Sequence, residues 1–287
     1  MRGRTDLAIE YLENMTAKSG YKSLSGISKK EYEKRGLKIT DIEILEDLSA
    51  KTLGKEKGRY ITISLPDFLS NPEVDKSSED VLSEVLAELL PEDGTILVAG
   101  LGNSEITPDA LGPLAAGKIF ATRHIPKDIG EKTGLSNLRK VCSIPVGVLG
   151  QTGIESEETI KTIAKTVGAS AVIVIDALAA GSIRRLFNTI QITDSGISPG
   201  SGVQNKRKKI SKESLDGISV IAVGVPTVTD ADTIIEEGGG ENTAENMVIT
   251  SKDVDKLILK TAKIISSALN CALFPELSKE DIEYLVL

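Results

Sequence analysis

Hydrophobic positions along the chain follow two different periods. Consecutive apolar residues rich in β-branched side chains predict buried strands at 95–100, 171–175, 189–192 and 220–225. Apolar residues spaced three and four apart predict helices at 79–90, 108–120, 157–167 and 254–273. Strands that alternate with helices specify a sheet covered on both sides. The pattern therefore predicts an α/β fold with a mainly parallel sheet and helices on both faces.

The first 75 residues or so do not share this alternation. They are mixed and charged, and a short alternating run at 59–65 predicts one strand. We therefore expect a single α/β domain over residues 1–287, with residues 1–75 forming a peripheral N-terminal segment packed on it.

Composition agrees with this fold class. Of 287 residues, 40% are hydrophobic, only 3% are aromatic and none is Trp. The core must therefore consist of Val, Ile, Leu and Ala, which fill buried parallel strands. Composition favours an α/β fold over a β-sandwich.

The formal net charge of -8 argues against a nucleic-acid-binding surface, because phosphate contacts require clustered Lys and Arg. One basic cluster departs from this average: Lys206, Arg207, Lys208 and Lys209. It is either a solvated loop or a surface that binds an acidic partner.

Neither metal nor membrane binding is indicated. Cys142 and Cys271 lack C-x-x-C spacing, so we expect two small buried residues, with no zinc site, no disulfide and no cofactor. The chain has no 18-residue apolar run and no signal peptide. These features predict a cytoplasmic protein.

A glycine-rich loop follows the strand at 95–100. It resembles a dinucleotide-binding loop, but Glu105 replaces the third glycine and its charge would oppose a pyrophosphate. Gly102 and Asn103 have two possible roles. They either form only a tight turn, or also present backbone amides that donate hydrogen bonds to a reacting group.

Two aspartates stand where predicted strands end. Asp109 follows the glycine loop, and Asp176 directly follows the run AVIVI. The carboxyl ends of parallel strands lie at one edge of a sheet, so the two acids are predicted to meet and to perform acid–base chemistry. The alternatives are that Asp109 stabilises a helix N-terminus and that Asp176 forms an ion pair with Arg184 or Arg185.

Two further residues are candidates for supporting roles. Asp194 ends another predicted strand, so it is expected at the same edge, unless it only closes a turn. His124 is the only histidine; it either packs against the end of the helix predicted from Pro108 or supports the site. Ser201 lacks the outer glycines of G-x-S-x-G, which argues against a serine hydrolase.

Taken together, these segments resemble the germination protease of spore-forming Firmicutes. The matching stretches are RTDLA (4–8), GRY (58–60), GLGNSEITPDALGP (100–113), TRH (122–124), QTGIE (151–155), IDALAA (175–180), TIQITDSGISPGSGVQNKRKKIS (189–211) and residues 220–231. The resemblance covers most of the chain.

The resemblance implies an endopeptidase that degrades small acid-soluble spore proteins in the spore core during germination. It also implies that Asp109 and Asp176 are the catalytic pair of an atypical aspartic-type peptidase, made as a zymogen and assembled as a homotetramer. Residues 206–209 would then dock an acidic, DNA-associated substrate without direct binding to nucleic acid.

Hydrogenase maturation proteases share features of this pattern, a strand followed by GxGN and an acid, and a later strand ending in D-A. Those relatives use a His to recognise nickel where this chain has Gly200. A maturation-type peptidase acting on a metal-loaded partner is therefore one alternative function, and a catalytically silent binding module is another.

Two departures from the longer germination proteases concern activation and assembly. Only Met1, Arg2 and Gly3 precede the RTDLA segment, so we expect that activation differs or that a minimal prosegment suffices. The loop at 232–246 stands where longer members carry an insertion.

Overall fold

The computed structural model describes residues 5–19, 25–66, 68, 71–126, 128, 130, 135, 138–201, 207–232 and 247–286. The strands in these ranges are β1 (Ile27–Lys34), β2 (Leu37–Ile44), β3 (Gly58–Ser64), β4 (Thr95–Gly100), β5 (Val141–Pro145), β6 (Ala169–Ala180), β7 (Thr189–Thr193), β8 (Ser219–Asp230) and β9 (Val248–Ile249). They form one sheet in the order β1-β2-β3-β7-β8-β6-β4-β5, and β9 pairs with β8.

The helices in the same ranges are α1 (Ala8–Ser19), α2 (Asp47–Leu53), α3 (Pro72–Leu89), α4 (Leu111–Ala116), α5 (Leu149–Thr152), α6 (Ser156–Val167), α7 (Val254–Leu273) and α8 (Lys279–Val286). Two short 3-10 turns occur at Thr107–Asp109 and Ile183–Arg185.

The centre of the sheet is parallel, which confirms the predicted fold class. Strands β5, β4, β6 and β8 run in the same direction, so their carboxyl ends share one edge. Alternate residues of β6 pack on opposite faces: Ile173 and Ile175 join the larger core cluster, and Val174 joins the smaller one. The larger cluster contains α3 and α7, and the smaller contains Ile160 and Ala164 of α6. Helices therefore cover both faces.

Antiparallel strands extend this parallel centre on one side. β7 is antiparallel to β8, and β3, β2 and β1 follow it in turn, each antiparallel to its neighbour. The N-terminal residues thus contribute three strands to the main sheet. Leu7, Ile39 and Ile63 are buried in the same core cluster as the central strands.

Two predicted helices differ in their bounds. The range 108–120 divides into the 3-10 turn Thr107–Asp109 and the six-residue helix α4, because Pro113 has no N–H to donate to the carbonyl of Asp109. Helix α3 begins at Pro72, where the side chain of Asn71 accepts a hydrogen bond from the Glu73 amide at 3.0 Å. Asn71 is therefore its N-terminal cap.

Cys142 and Cys271 are both free, and both are partly buried rather than fully buried. Among the helices of the described ranges, none is long and apolar enough to cross a membrane.

Candidate active site

Asp109 and Asp176 lie near one another beyond the carboxyl end of β4. β4 pairs with β6 up to Gly100 and Ile175, and the Leu101 amide then donates to the Ile175 carbonyl at 2.8 Å. Asp176 is the next residue of β6. The 3-10 turn after the glycine loop brings Asp109 back against Gly102. The negative charge of Asp109 acts on Asp176, so two acids far apart in sequence lie near one another.

Gly102 makes this close approach possible. It has a φ of +122°, and a Cβ at this position would lie 1.9 Å from the backbone oxygen of Asp109. Only glycine accommodates both the left-handed backbone and the contact. The following amide, that of Asn103, donates to Oδ2 of Asp109 at 2.7 Å. Gly102 and Asn103 therefore support the acid, and the Asn103 amide is engaged by Asp109 instead of being free for an oxyanion.

Asp176 is a buried carboxyl group among other acids. Its side chain is 5% exposed, and Oδ1 accepts a hydrogen bond from the Ala177 amide at 2.9 Å. Burial, followed by the negative charges of Asp109 and Asp6, raises the pKa of Asp176 well above its ordinary value. The alternative ion pair with Arg184 or Arg185 is not formed: Arg185 contacts Glu10 and Glu13, and among the described residues Arg184 does not pair with Asp176.

Asp109 is in a different environment. Burial raises the pKa of Asp109, and the hydrogen bond from the Asn103 amide opposes the rise. The acid lies at the end of a 3-10 turn, so this single amide, and not the N-terminus of a long helix, stabilises its ionised form. The two carboxyl groups are thus suited to different roles, with Asp176 holding a proton more strongly.

A third acid, Asp6, lies next to the pair and was not predicted as a site residue. Its Oδ2 accepts from the Ala179 amide at 2.9 Å, and the Ser201 hydroxyl donates to its Oδ1 at 2.5 Å. Asp6 precedes α1, far from either partner in sequence. In the sequence, only its place in the RTDLA stretch, which matches the family, pointed to a role for Asp6.

Asp194 lies away from the pair, contrary to the prediction. β7 is antiparallel to β8, so its carboxyl end points away from the edge that carries Asp176. Thr193 of β7 and Val174 of β6 are both Cα partners of Ala222 in β8, so the end of β7 lies level with a residue that precedes Asp176 by two positions. Oδ1 of Asp194 instead accepts from the Arg59 amide at 2.7 Å, which ties β3 to the end of β7.

His124 also lies away from the pair, at the amino ends of the parallel strands. The amides of Thr122 and Arg123 both donate to the carbonyl of Val141, the first residue of β5, at 3.1 Å. His124 follows directly and is exposed. A supporting role at the carboxyl edge is therefore excluded by its position.

The predicted docking residues are only partly free. Lys206 lies outside the described residues. The ammonium of Lys208 pairs with Glu158, and that of Lys209 pairs with Glu56 at 2.9 Å. Arg207 has no ion pair among the described residues.

Arg207 and Lys209 line a cavity of about 780 Å³, which Asp6 also lines and Asp109 and Asp176 do not. Its floor includes Gly224 of β8, the Cα partner of Asp176. Neighbouring strands lie roughly 5 Å apart, so the cavity begins one strand from the buried acid. Lys55 also lines it, and its ammonium donates to the Asp6 carbonyl at 2.7 Å.

No group of three or more His, Cys, Asp or Glu side chains in the described ranges is arranged to hold a metal ion.

Comparisons with known proteins show the family of the chain. Residues 5–238 match the family profile described as germination protease. A germination protease from Clostridium perfringens is 38% identical, covering 97% of this chain and 97% of its own. One from Priestia megaterium is 44% identical over 82% of this chain and 65% of its own.

Among solved structures, a NiFe hydrogenase maturation protease, HycI from Thermococcus kodakarensis, covers 64% of this chain and 98% of its own, with 17% identity and a TM-score of 0.37. The family profile spans most of the chain and includes all three acids of the site. This chain belongs to the germination protease family.

Proposed function

We propose that this chain is an endopeptidase that degrades small acid-soluble spore proteins in the spore core during germination, by an aspartic-type mechanism. Membership of the germination protease family supports peptidase activity. The observation that carries the mechanism is the pairing of Asp109 and Asp176 at one sheet edge, in environments that favour different protonation states. A pair of carboxyl groups that shares one proton supplies both an acid and a base.

Asp109 acts as the base in this proposal. Its ionised carboxylate accepts a proton from a water molecule as the water oxygen attacks the carbonyl carbon of the scissile peptide. Asp176, which holds the shared proton, donates to the carbonyl oxygen as charge develops there. When the C–N bond breaks, a proton passes to the leaving nitrogen. The products are a carboxylic acid and an amine, and the pair is left with one proton.

The proposed substrates are acidic proteins, so cationic groups near the site would attract and dock them. Arg207 is the member of the basic cluster best placed for docking, because it lines the cavity and lacks an ion pair among the described residues. The homotetramer implied by the family resemblance is part of the same proposal, and light scattering of the purified protein tests it.

The decisive experiment compares the wild type with Asp109→Asn and Asp176→Asn on an α/β-type small acid-soluble spore protein. Fragments are followed by mass spectrometry, with and without a chelator. Loss of a general acid or base typically costs about 10²- to 10⁴-fold in rate, so we expect each variant to lose at least about 100-fold. Cleavage by the wild type should not respond to the chelator.

Glu105→Gln is the matched control, because Glu105 is an exposed carboxylate in the same loop. It should cleave at the wild-type rate. Near-normal cleavage by either aspartate variant would refute the paired mechanism. Intact substrate after long incubation with folded wild-type protein would refute the proposed activity itself.

A further inference from the structure

Gln151 is an exposed residue of α5 that contacts the loop beside Asp109. Its Nε2 donates to Oδ1 of Asn103 at 2.6 Å. We infer that Gln151 is a positioning residue of the peptidase site, which holds the Asn103 amide against the Asp109 carboxylate. This inference rests on the proposed function and adds a residue outside the acidic pair.

The argument begins with the side chain of Asn103. Its Oδ1 accepts two hydrogen bonds, one from the Glu105 amide at 2.9 Å and one from Gln151 at 2.6 Å. An amide oxygen has two lone pairs, so both are used. The first bond closes the loop on itself, and the second ties the loop to α5. The orientation of Asn103 is therefore fixed from two sides.

Asn103 transmits this constraint to the acid. Its backbone amide donates to Oδ2 of Asp109 at 2.7 Å. A tilt of the Asn103 peptide would lengthen this bond, and hydrogen bonds weaken steeply when distance and angle depart from the optimum. The chain of contacts from Gln151 to Asp109 thus contains only one intervening residue.

The position of Gln151 follows from the parallel pairing of β4 and β5. The Val146 amide, just after β5, donates to the Gly100 carbonyl at 2.8 Å, which places the two following loops side by side. Helix α5 ends at Gly153 in the left-handed conformation. The hydroxyl of Thr152 accepts from the Ile154 amide at 3.1 Å and fixes that end. Gln151 is therefore presented by an ordered turn.

The Asn103 hydrogen bond lowers the pKa of Asp109 against the effect of burial, so its loss would raise that pKa. Asp109 interacts electrostatically with Asp176 from β6, and Asp176 interacts in turn with Asp6 from the N-terminal segment. Glu105 in the loop is exposed. All of these are acids, so weakening the Asn103 bond leaves Asp109 with fewer partners that favour its ionised form.

The first test is the pH dependence of kcat/KM for the wild type, Gln151→Ala, Gln151→Glu and the control Glu105→Gln. Gln151→Glu keeps the shape of the side chain and replaces the donor with an acceptor. Both Gln151 variants should shift the acidic limb to higher pH. We expect a loss of roughly three- to tenfold on that limb, consistent with one weakened hydrogen bond, and near-parity at the optimum. A purely structural role would reduce activity equally at every pH and would refute the inference.

A second measurement does not depend on cleavage. In an Asp176→Asn background Asp109 titrates without its coupled partner, and its carboxyl ¹³C signal is assigned by its loss in Asp109→Asn. Gln151→Ala should raise the midpoint of this titration. An unchanged midpoint would refute the inference even if the wild type is an active peptidase. A raised midpoint with an inactive wild type would instead refute the proposed function and leave the positioning contact established.

Discussion

The three acids of the site differ because of what surrounds each carboxyl group, and not because of residue type. Asp109 accepts a backbone amide, Asp176 is buried beside two negative charges, and Asp6 accepts an amide and a hydroxyl. The sequence predicted Asp109 and Asp176 because each follows a recognisable strand. It gave Asp6 no role, since no strand precedes that residue and its contacts are made by distant segments.

Replacing Asp176 with Asn is expected to stabilise the protein near neutral pH. The folded-state pKa of Asp176 is raised above its ordinary value of about 3.9, so the native state binds more protons than the unfolded state between the two values. The stability of the wild type therefore falls as pH rises through this window. The melting temperature of Asp176→Asn should exceed that of the wild type at about pH 7.5, and the difference should vanish near about pH 4.

Asp216 provides a control, because its pKa is shifted in the direction opposite to that of Asp176. Hydrogen bonds from Lys161 and Lys165 lower the pKa of this exposed acid to about 2. Its contribution to stability is present above its ordinary pKa and is lost as pH falls towards the folded value. Asp216→Asn should therefore leave the melting temperature unchanged or slightly lower near neutral pH. A destabilised Asp176→Asn protein at about pH 7.5 would contradict the burial argument.

At the scale of elements, β4 and β7 match their predicted ranges, but β6 and β8 continue to Ala180 and Asp230, past the predicted ends at 175 and 225, so Asp176 lies within β6. The direction of β7 was not predicted. A parallel neighbour requires a crossover connection of roughly a dozen residues or more. Residues 181–188, between β6 and β7, contain only a short 3-10 turn. The predicted strands at 171–175 and 189–192 left residues 176–188 between them, which is long enough for a crossover, so the sequence did not indicate the antiparallel direction that moves Asp194 away from the acids.

The same reasoning explains the position of His124. A helix that follows a parallel strand returns the chain to the amino edge before the next parallel strand begins. α4 and the residues after it make this return between β4 and β5. Because β5 had not been predicted, nothing in the sequence indicated that His124 precedes a strand and lies at the far edge.

Asp194→Ala should therefore affect stability and leave the chemistry intact. The substitution removes the hydrogen bond from the Arg59 amide that joins β3 to the end of β7. One such bond contributes about 0.5–1.5 kcal/mol, which for a chain of 287 residues corresponds to a fall in melting temperature of about 1–3 °C. Thermal unfolding and kcat are measured on the same preparation. A large loss of kcat in a protein that remains folded would place Asp194 back in the site.

For the molecule as a whole, the sequence predicted the parallel centre and missed how far the sheet extends. β1 is mostly exposed and carries the charged sequence ISKKEYEK, so it shows almost no hydrophobic alternation. Such charges are typical of an edge strand, where they oppose pairing with other chains. The charges that suit β1 to the edge also remove the alternation by which a strand is recognised in a sequence, which is why residues 1–75 were expected only as a peripheral segment packed on the domain.

The last prediction concerns docking by a protein whose net charge is -8. The proposed acidic substrate would be repelled at long range by this net charge, so attraction must come from unpaired cations close to the site. Arg207 lines the cavity without an ion pair among the described residues, whereas Lys208 pairs with Glu158. Arg207→Ala and Lys208→Ala change the net charge equally. We expect Arg207→Ala to raise KM about 1.5- to 5-fold at low salt, as for the loss of one exposed charge pair, and Lys208→Ala to raise it less.

The dependence of KM on salt concentration distinguishes a specific contact of Arg207 from an effect of the overall charge. The screening length falls from roughly 10 Å at about 0.1 M salt to roughly 3 Å at about 1 M, so the difference in KM between Arg207→Ala and the wild type should shrink as salt is added. The kcat values of both variants should remain at the wild-type level, because among the described residues neither side chain forms a hydrogen bond or ion pair with the three acids. Equal increases in KM for the two variants would show that only net charge matters and that Arg207 has no specific docking role.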